Sequence, residues 1–188
     1  TMLPAVKSNI PIRVLNSRKP DVEGTLIVSE HVAGQSIVKS VAYKENITVV
    51  EVHSTRMLMA HGFLKRIFEV FDKHETSVDM VTTSEVSVSL TIDDTSRFSA
   101  IVQELEQFAE VTSVAGQSIV CVVGDNIRYT PGVAARVFQA LKNINIRMIS
   151  QGASRLNVSL VVDEKDLRAT VEALHTTFFS KVNEQVFA

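Results

Sequence analysis

Sliding the chain against itself by 70 positions brings two long segments into register, and this repeat restricts the possible folds more than any other feature. "GFLKRIFEVFDKHETSVDMVTTSEVSVSLTID" starts at Gly62 and "GVAARVFQALKNINIRMISQGASRLNVSLVVD" at Gly132, an offset of 132 − 62 = 70. Without a gap, Phe68 falls on Phe138, Ser84 on Ser154, the "VSL" of 88–90 on that of 158–160, and Asp93 on Asp163. One supersecondary unit is therefore used twice, and each copy must find a core of its own. With 188 residues, 45% of them hydrophobic, there is material for one sizeable domain or two small ones.

The element order within each copy is the same. A β-rich run, "ITVVEVHS" or "SIVCVVGD", leads through a loop to a helix whose apolar residues recur at helical spacing. These are Phe63, Leu64, Ile67, Phe68 and Phe71 in the first copy, and Val133, Val137, Phe138 and Leu141 in the second, where Pro131 suits the first turn. Two strands follow, "VDMVT" with "EVSVSLTID" and "IRMIS" with "LNVSLVVD", each pair broken by a polar turn. A second amphipathic helix comes next, "SRFSAIVQELEQFA" or "DLRATVEALHTTFF". The pattern predicts an α+β protein of two ferredoxin-like βαββαβ units, each an antiparallel sheet with helices on one face. "EVTSVAG" closes the first unit. The second has no obvious closing strand downstream, whereas "SIVKSVAYKE" at 36–45 is a spare strand upstream. The expected division is 46–116 for the first unit, inserted into a second made of 36–45 plus 117–188. The tail "VNEQVFA" is the competing closing strand.

Composition removes several classes of function. Nineteen basic and 21 acidic residues, spread along the chain, give a net charge of −2 and no footprint for nucleic acid or an anionic membrane. No apolar stretch approaches the roughly 18 residues that span a bilayer. The single cysteine, Cys121, lies in the apolar run "SIVCVVGD" as a small hydrophobe, and the lack of a disulfide framework fits a reducing cytoplasm. His53 and His61 are isolated, without metal-ligand spacing, and Ser118, Asp166 and His175 come with no nucleophile elbow. No Walker-type phosphate loop is present. The opening "TMLPAVKSNIPIRVLNSRKP" is proline-punctuated and extended, with "IPIRVL" alternating as a strand; it reads as mid-protein sequence.

"MLMAHGFLKRIFEVF" followed by "SVDMVTTSEVSVSLTID" resembles the first ACT domain of single-function, lysine-sensitive aspartate kinases, and "IRMISQGASRLNVSLVV" resembles the second, with its "GAS" turn. Upstream, "NIPIRVLNSRKPDVEGTLI" is similar to the end of the kinase domain, which would make residues 1–35 a short extended remnant of that domain. The resemblance implies an allosteric, amino-acid-sensing region that works as a homodimer. It also implies a full enzyme that uses ATP and Mg2+ to phosphorylate the side-chain carboxylate of aspartate, the first step towards lysine, threonine and methionine. The family's lysine-phenylalanine-glycine-glycine-threonine-serine signature has no match here, so this chain alone is expected to be inactive and to need no cofactor.

A free amino acid carries a carboxylate and an ammonium on one carbon, so its receptor needs anion donors and an anion in fixed geometry. Backbone N–H groups near Gly62, Phe63 and Leu64, at the positive end of a helix dipole, suit the carboxylate. Asp79, after Ser77 and Val78 at the entry to the next strand, can accept from the ammonium. Met57 offers adaptable apolar contact. Thr83, Ser84 and Glu85, at the strand–strand turn, could close the site across a dimer, with Glu85 suited to a distal ammonium. In the gapless alignment Asp79 and Glu85 fall on Ile149 and Arg155, which points to the second unit as structural. Asp79 as a plain surface acid, Gly62 as a plain helix start and 82–84 as an ordinary turn are the alternatives on local grounds. The expected effector is lysine, with threonine as the other candidate; a dimerisation module that binds no effector is the competing function.

Overall fold

The computed structural model describes residues 3–28, 37–55 and 61–179. Met57 and the tail "VNEQVFA" lie outside them. The chain divides into two compact units, 1–36 and 37–188.

The first unit holds a short helix α1 (Leu3–Lys7) and two antiparallel strands, β1 (Ile12–Val14) and β2 (Thr25–Ile27), with Ile12 opposite Ile27. The strand falls where "IPIRVL" alternates, but Leu3–Lys7 is helical rather than extended. Pro4 sits in the first turn of that helix, where its missing N–H has no partner to lose.

The second unit contains β3 (Val38–His53), α2 (Phe63–Lys73), β4 (Val81–Thr83), β5 (Ser87–Ile92), α3 (Phe98–Leu105), β6 (Glu110–Gly124), α4 (Val133–Ala140), β7 (Ile146–Gln151), β8 (Asn157–Asp163) and α5 (Leu167–Phe179). Its six strands form one antiparallel sheet in the order β4-β5-β3-β6-β8-β7. Two strands are long because each serves both repeats. In β3, residues 38–44 pair with 119–124 of β6, whereas 48–53 pair with β5 and 49–53 with the start of β6. The change of partner coincides with left-handed residues at the same point of the repeat, Asn46 (φ 59°) and Gly116 (φ 67°), and with register shifts between Lys44 and Val49. Such bulges bend a strand, and here they let it pass from one layer to the next.

Burial shows how the layers stack. Val50 and Val52 join Val88, Leu90 and Ile92 under α2 and α3, which supply Ile67, Val70, Phe71, Ile101 and Leu105. Val120, Val122, Val158, Leu160 and Val162 form the matching core under α4 and α5, with Val133, Val137, Leu167 and Leu174. Side chains one position out of phase point to the opposite face. That face contributes Ile47, Val49, Met80, Ile119, Met148 and Val161, which are buried together without any helical residue. The helix-free faces of the two repeats therefore cover each other. The sheet folds over on itself, which also explains why β4 and β7, at opposite ends of the strand order, are in contact.

Two local expectations are corrected. Pro131 lies outside its helix, before the left-handed N-cap Gly132 (φ 84°), so it ends the preceding segment instead of occupying the first helical turn. The strand expected from Val78 starts at Val81. Asp79 N–H donates to the Thr91 carbonyl, Thr91 N–H donates back to the Met80 carbonyl, and Met80 N–H goes to the Thr91 hydroxyl at 2.9 Å. Two residues thus face one, as in a bulge, and the regular ladder resumes only at the Val81–Leu90 pair.

Candidate functional site

The bulge decides where Asp79 points. Its carboxylate receives the ammonium of Lys44, on β3 just before the Asn46 bend, at 2.7 Å. The same Lys44 Nζ lies 2.7 Å from Asp93, which follows the end of β5. The hydrogen bonds that Lys44 donates to Asp79 first, and then to Asp93, push its ammonium above its ordinary range; the Lys44 bond pulls the Asp93 carboxyl below its own. All three side chains are partly exposed, at 43%, 28% and 42% for Lys44, Asp79 and Asp93, so water screens them and each pair is worth about 0–1 kcal/mol.

The amide end of the candidate site is built as its residues predict. Gly62 is the N-cap of α2 in a left-handed conformation (φ 81°), and among the described residues no neighbour would meet a Cβ placed there. Arg66 N–H donates to the Gly62 carbonyl, so the turn ahead of it carries amides that have no intrahelical partner. Phe63 packs against the first core, while Gly62 and Leu64 are exposed.

These two ends are not neighbours within one chain. Because β3 and β4 are each antiparallel to β5, they run parallel, and α2 is the crossover that returns between them. Gly62 stands at the start of this eleven-residue helix, which is roughly 16 Å long. Asp79 comes after its other end. The hairpin gives the same answer: Val86 accepts from Ser54 N–H at the far end of β3, beside the loop that leads to α2. Thr83, Ser84 and Glu85 are exposed there, four to six residues beyond Asp79, roughly 13–20 Å of strand. Ser77, Val78 and Asp79 form one group; Gly62, Phe63 and Leu64 with the 83–85 turn form another. The expectation that Gly62 and Asp79 lie side by side is therefore corrected.

Ser84 has a local task. Its hydroxyl accepts from Ser87 N–H at 3.1 Å and from Val86 N–H at 3.4 Å, while its own N–H donates to the Ser87 carbonyl. Ser154 does similar work in the second copy, accepting from Leu156 N–H at 3.0 Å. Strand pairing also corrects the comparison between copies. Val81 faces Leu90, but Ile149 faces Leu160, so the offset is 160 − 90 = 70 on the second strand and 149 − 81 = 68 on the first. The counterpart of Asp79 is then Arg147, not Ile149. Arg147 lies at a register shift of its own, donates to Gln117 at 3.0 Å and stands 3.6 Å from Asp163. Gln117 bonds Asp163 directly at 2.9 Å, and that bond heads the causes that hold the Asp163 carboxyl below its usual range. An acid in the first repeat is matched by a cation in the second.

Sequence reasoning missed Lys44 and Asp93. Asp93 carried a signal, since it recurs as Asp163; Lys44 stands upstream of the aligned repeat and carried none. His53 Nδ1 lies 3.1 Å from the Ser87 hydroxyl.

Two βαββ-α repeats, each with an antiparallel sheet and helices on one face, define an ACT-type protein. The ACT domain family model matches residues 120–178. Aspartokinase 1, chloroplastic, of Arabidopsis thaliana is 40% identical over 190 residues, 95% of this chain and 33% of that protein. Lysine-sensitive aspartokinase 3 of Escherichia coli (strain K12) is 36% identical over 187 residues, 95% of this chain and 41% of that protein. Among solved structures, E. coli aspartokinase III in complex with lysine and aspartate, in its T-state, superposes with a TM-score of 0.81 at 35% identity, covering 95% of this chain and 41% of that one. A putative C-terminal regulatory domain of aspartate kinase from Porphyromonas gingivalis W83 does so with a TM-score of 0.69 at 40% identity, covering 76% of this chain and 99% of that one. The chain belongs to the aspartokinase family and corresponds to its regulatory region. It spans about a third to two-fifths of the length of these two full relatives.

Proposed function

We infer that this chain is the effector-sensing part of an aspartate kinase, and that lysine, an end product of the pathway, binds its first ACT repeat and inhibits the enzyme. The observation that carries this reading is the likeness to an aspartokinase solved with lysine. ATP and Mg2+ serve the phosphorylation of aspartate in the catalytic part of the full enzyme, to which residues 1–35 are the connection. The first ACT domain is 46–116, inserted into a second formed by 36–45 and 117–188, and the protein works in a soluble compartment such as the cytoplasm.

The geometry favours a site shared by two copies. A carboxylate and an ammonium on one carbon cannot reach the Gly62 amides and Asp79 of the same chain across roughly 16 Å. A two-fold axis that sets the repeats antiparallel brings the Gly62 end of one copy towards the Asp79 end of the other, and makes two such sites. Glu85 then suits the ε-ammonium, which favours lysine over threonine. Binding that differs between two dimer states shifts the kinase between them, with a coupling of about 1–3 kcal/mol.

Calorimetric titration with lysine, threonine and methionine, with the mass in solution followed in parallel, tests the reading. Lysine is expected to bind to a dimer, and Asp79→Ala to abolish the heat with the dimer mass retained. One observation favours the structural alternative: the Asp79 carboxylate already has a cation. If Asp79→Ala left lysine binding intact, or if none of the three amino acids gave heat, the effector reading would fail.

A further inference from the structure

The acceptor that an effector needs is engaged by the same kind of group the effector would bring. Lys44 Nζ stands at 2.7 Å from Asp79 and at the same distance from Asp93. A second ammonium within hydrogen-bond reach of Asp79 would lie within a few ångströms of Lys44, where like charges repel. Lys44 has somewhere to go, because Asp93 is an equally close alternative. Asp93, in turn, follows the end of β5, two residues beyond Thr91, the partner of the Asp79 bulge. We propose that Lys44 is an internal competitor for the effector's ammonium and that Asp93 is the acceptor that lets it yield, so the pair sets the affinity of the amino-acid site without touching the amino acid.

This rests on the reading that Asp79 receives an ammonium, and it makes two predictions of opposite sign. Lys44→Met removes the competitor and frees the Asp79 carboxylate, so L-lysine should bind about three- to tenfold more tightly. Asp93→Asn leaves Lys44 with Asp79 alone, so binding should weaken by a similar factor. The double variant should behave as Lys44→Met does, because Asp93 acts only through Lys44. A triad that serves stability alone would shift the melting temperature in all three variants without separating their affinities by sign.

The experiment is calorimetric titration of the chain and these variants with L-lysine and, separately, L-threonine, with the mass in solution checked throughout. Tighter binding in Lys44→Met together with weaker binding in Asp93→Asn supports the proposal, as does binding that appears only once Lys44 is removed. Equal affinity in the unmodified chain and Lys44→Met overturns the role of Lys44 but leaves the amino-acid site standing. If neither binds either amino acid, the site itself falls and this role with it. Should Lys44→Met fail to fold, Lys44→Gln, uncharged and of similar length, makes the same comparison.

Discussion

Ser84 shows how a candidate binding residue can be committed to its own turn. Its hydroxyl gathers the N–H groups of Val86 and Ser87, and Ser154 repeats the capping at Leu156. A turn hydroxyl of this kind is worth about 0.5–1.5 kcal/mol. Ser84→Ala and Ser154→Ala should therefore each lower stability by about 1 kcal/mol, measured by urea denaturation, even though only Ser84 belongs to the effector proposal. A neutral Ser84→Ala would mean that the hydroxyl is held for something other than the hairpin. Asp79 is the opposite case. Its bulge gives it a direction, Lys44 gives it a partner, and its counterpart Arg147 carries the reverse charge, so the two repeats do different work at this residue.

At the scale of elements, the hydrophobic periodicities make the order of strands and helices legible, because each amphipathic segment has one face that must be buried. What they do not reveal is pairing. The 70-residue offset holds for β5 and β8 but slips to 68 on β4 and β7, since a hairpin loop can absorb two residues while both flanking strands keep their faces. That slip sent the comparison of Asp79 to Ile149. Its separation from Gly62 was hidden for another reason: residues 17 positions apart in sequence are placed at opposite ends of a crossover helix by topology, and spacing alone does not express it. The helix N-caps were legible as glycines, and they offer a clean test. Gly62 and Gly132 have φ of 81° and 84°, and none of the described residues crowds either Cβ position. Alanine at either should cost only the left-handed strain, about 1 kcal/mol. On the effector proposal Gly62→Ala should also weaken lysine binding, whereas Gly132→Ala should leave it alone. Equal effects of the two on calorimetric affinity would remove the special role of the first helix.

At the scale of the molecule, the central question is whether two repeats behave as two domains. Their helix-covered cores are separate, and each has enough apolar residues to fold around. The third cluster belongs to neither. Ile47, Val49 and Met80 from one repeat meet Ile119, Met148 and Val161 from the other, and without that meeting the inner face of each half-sheet would stand open to water. The strands β3 and β6 also run through both halves without interruption. Opening one half would thus expose the inner face of the other and break two strands at their bends, so the halves should unfold together. Ile47→Ala and Val161→Ala truncate fully buried side chains from opposite sides of that layer. The cost should be about 2–5 kcal/mol for Ile47→Ala and somewhat less for the smaller valine. In scanning calorimetry both variants should melt at lower temperature in a single transition for residues 37–188, whichever repeat carries the change. A variant in which one repeat melts early while the other keeps its original midpoint would show that the shared layer does not couple them. A signal that starts at an effector site in the first repeat would then lack this rigid route to the second.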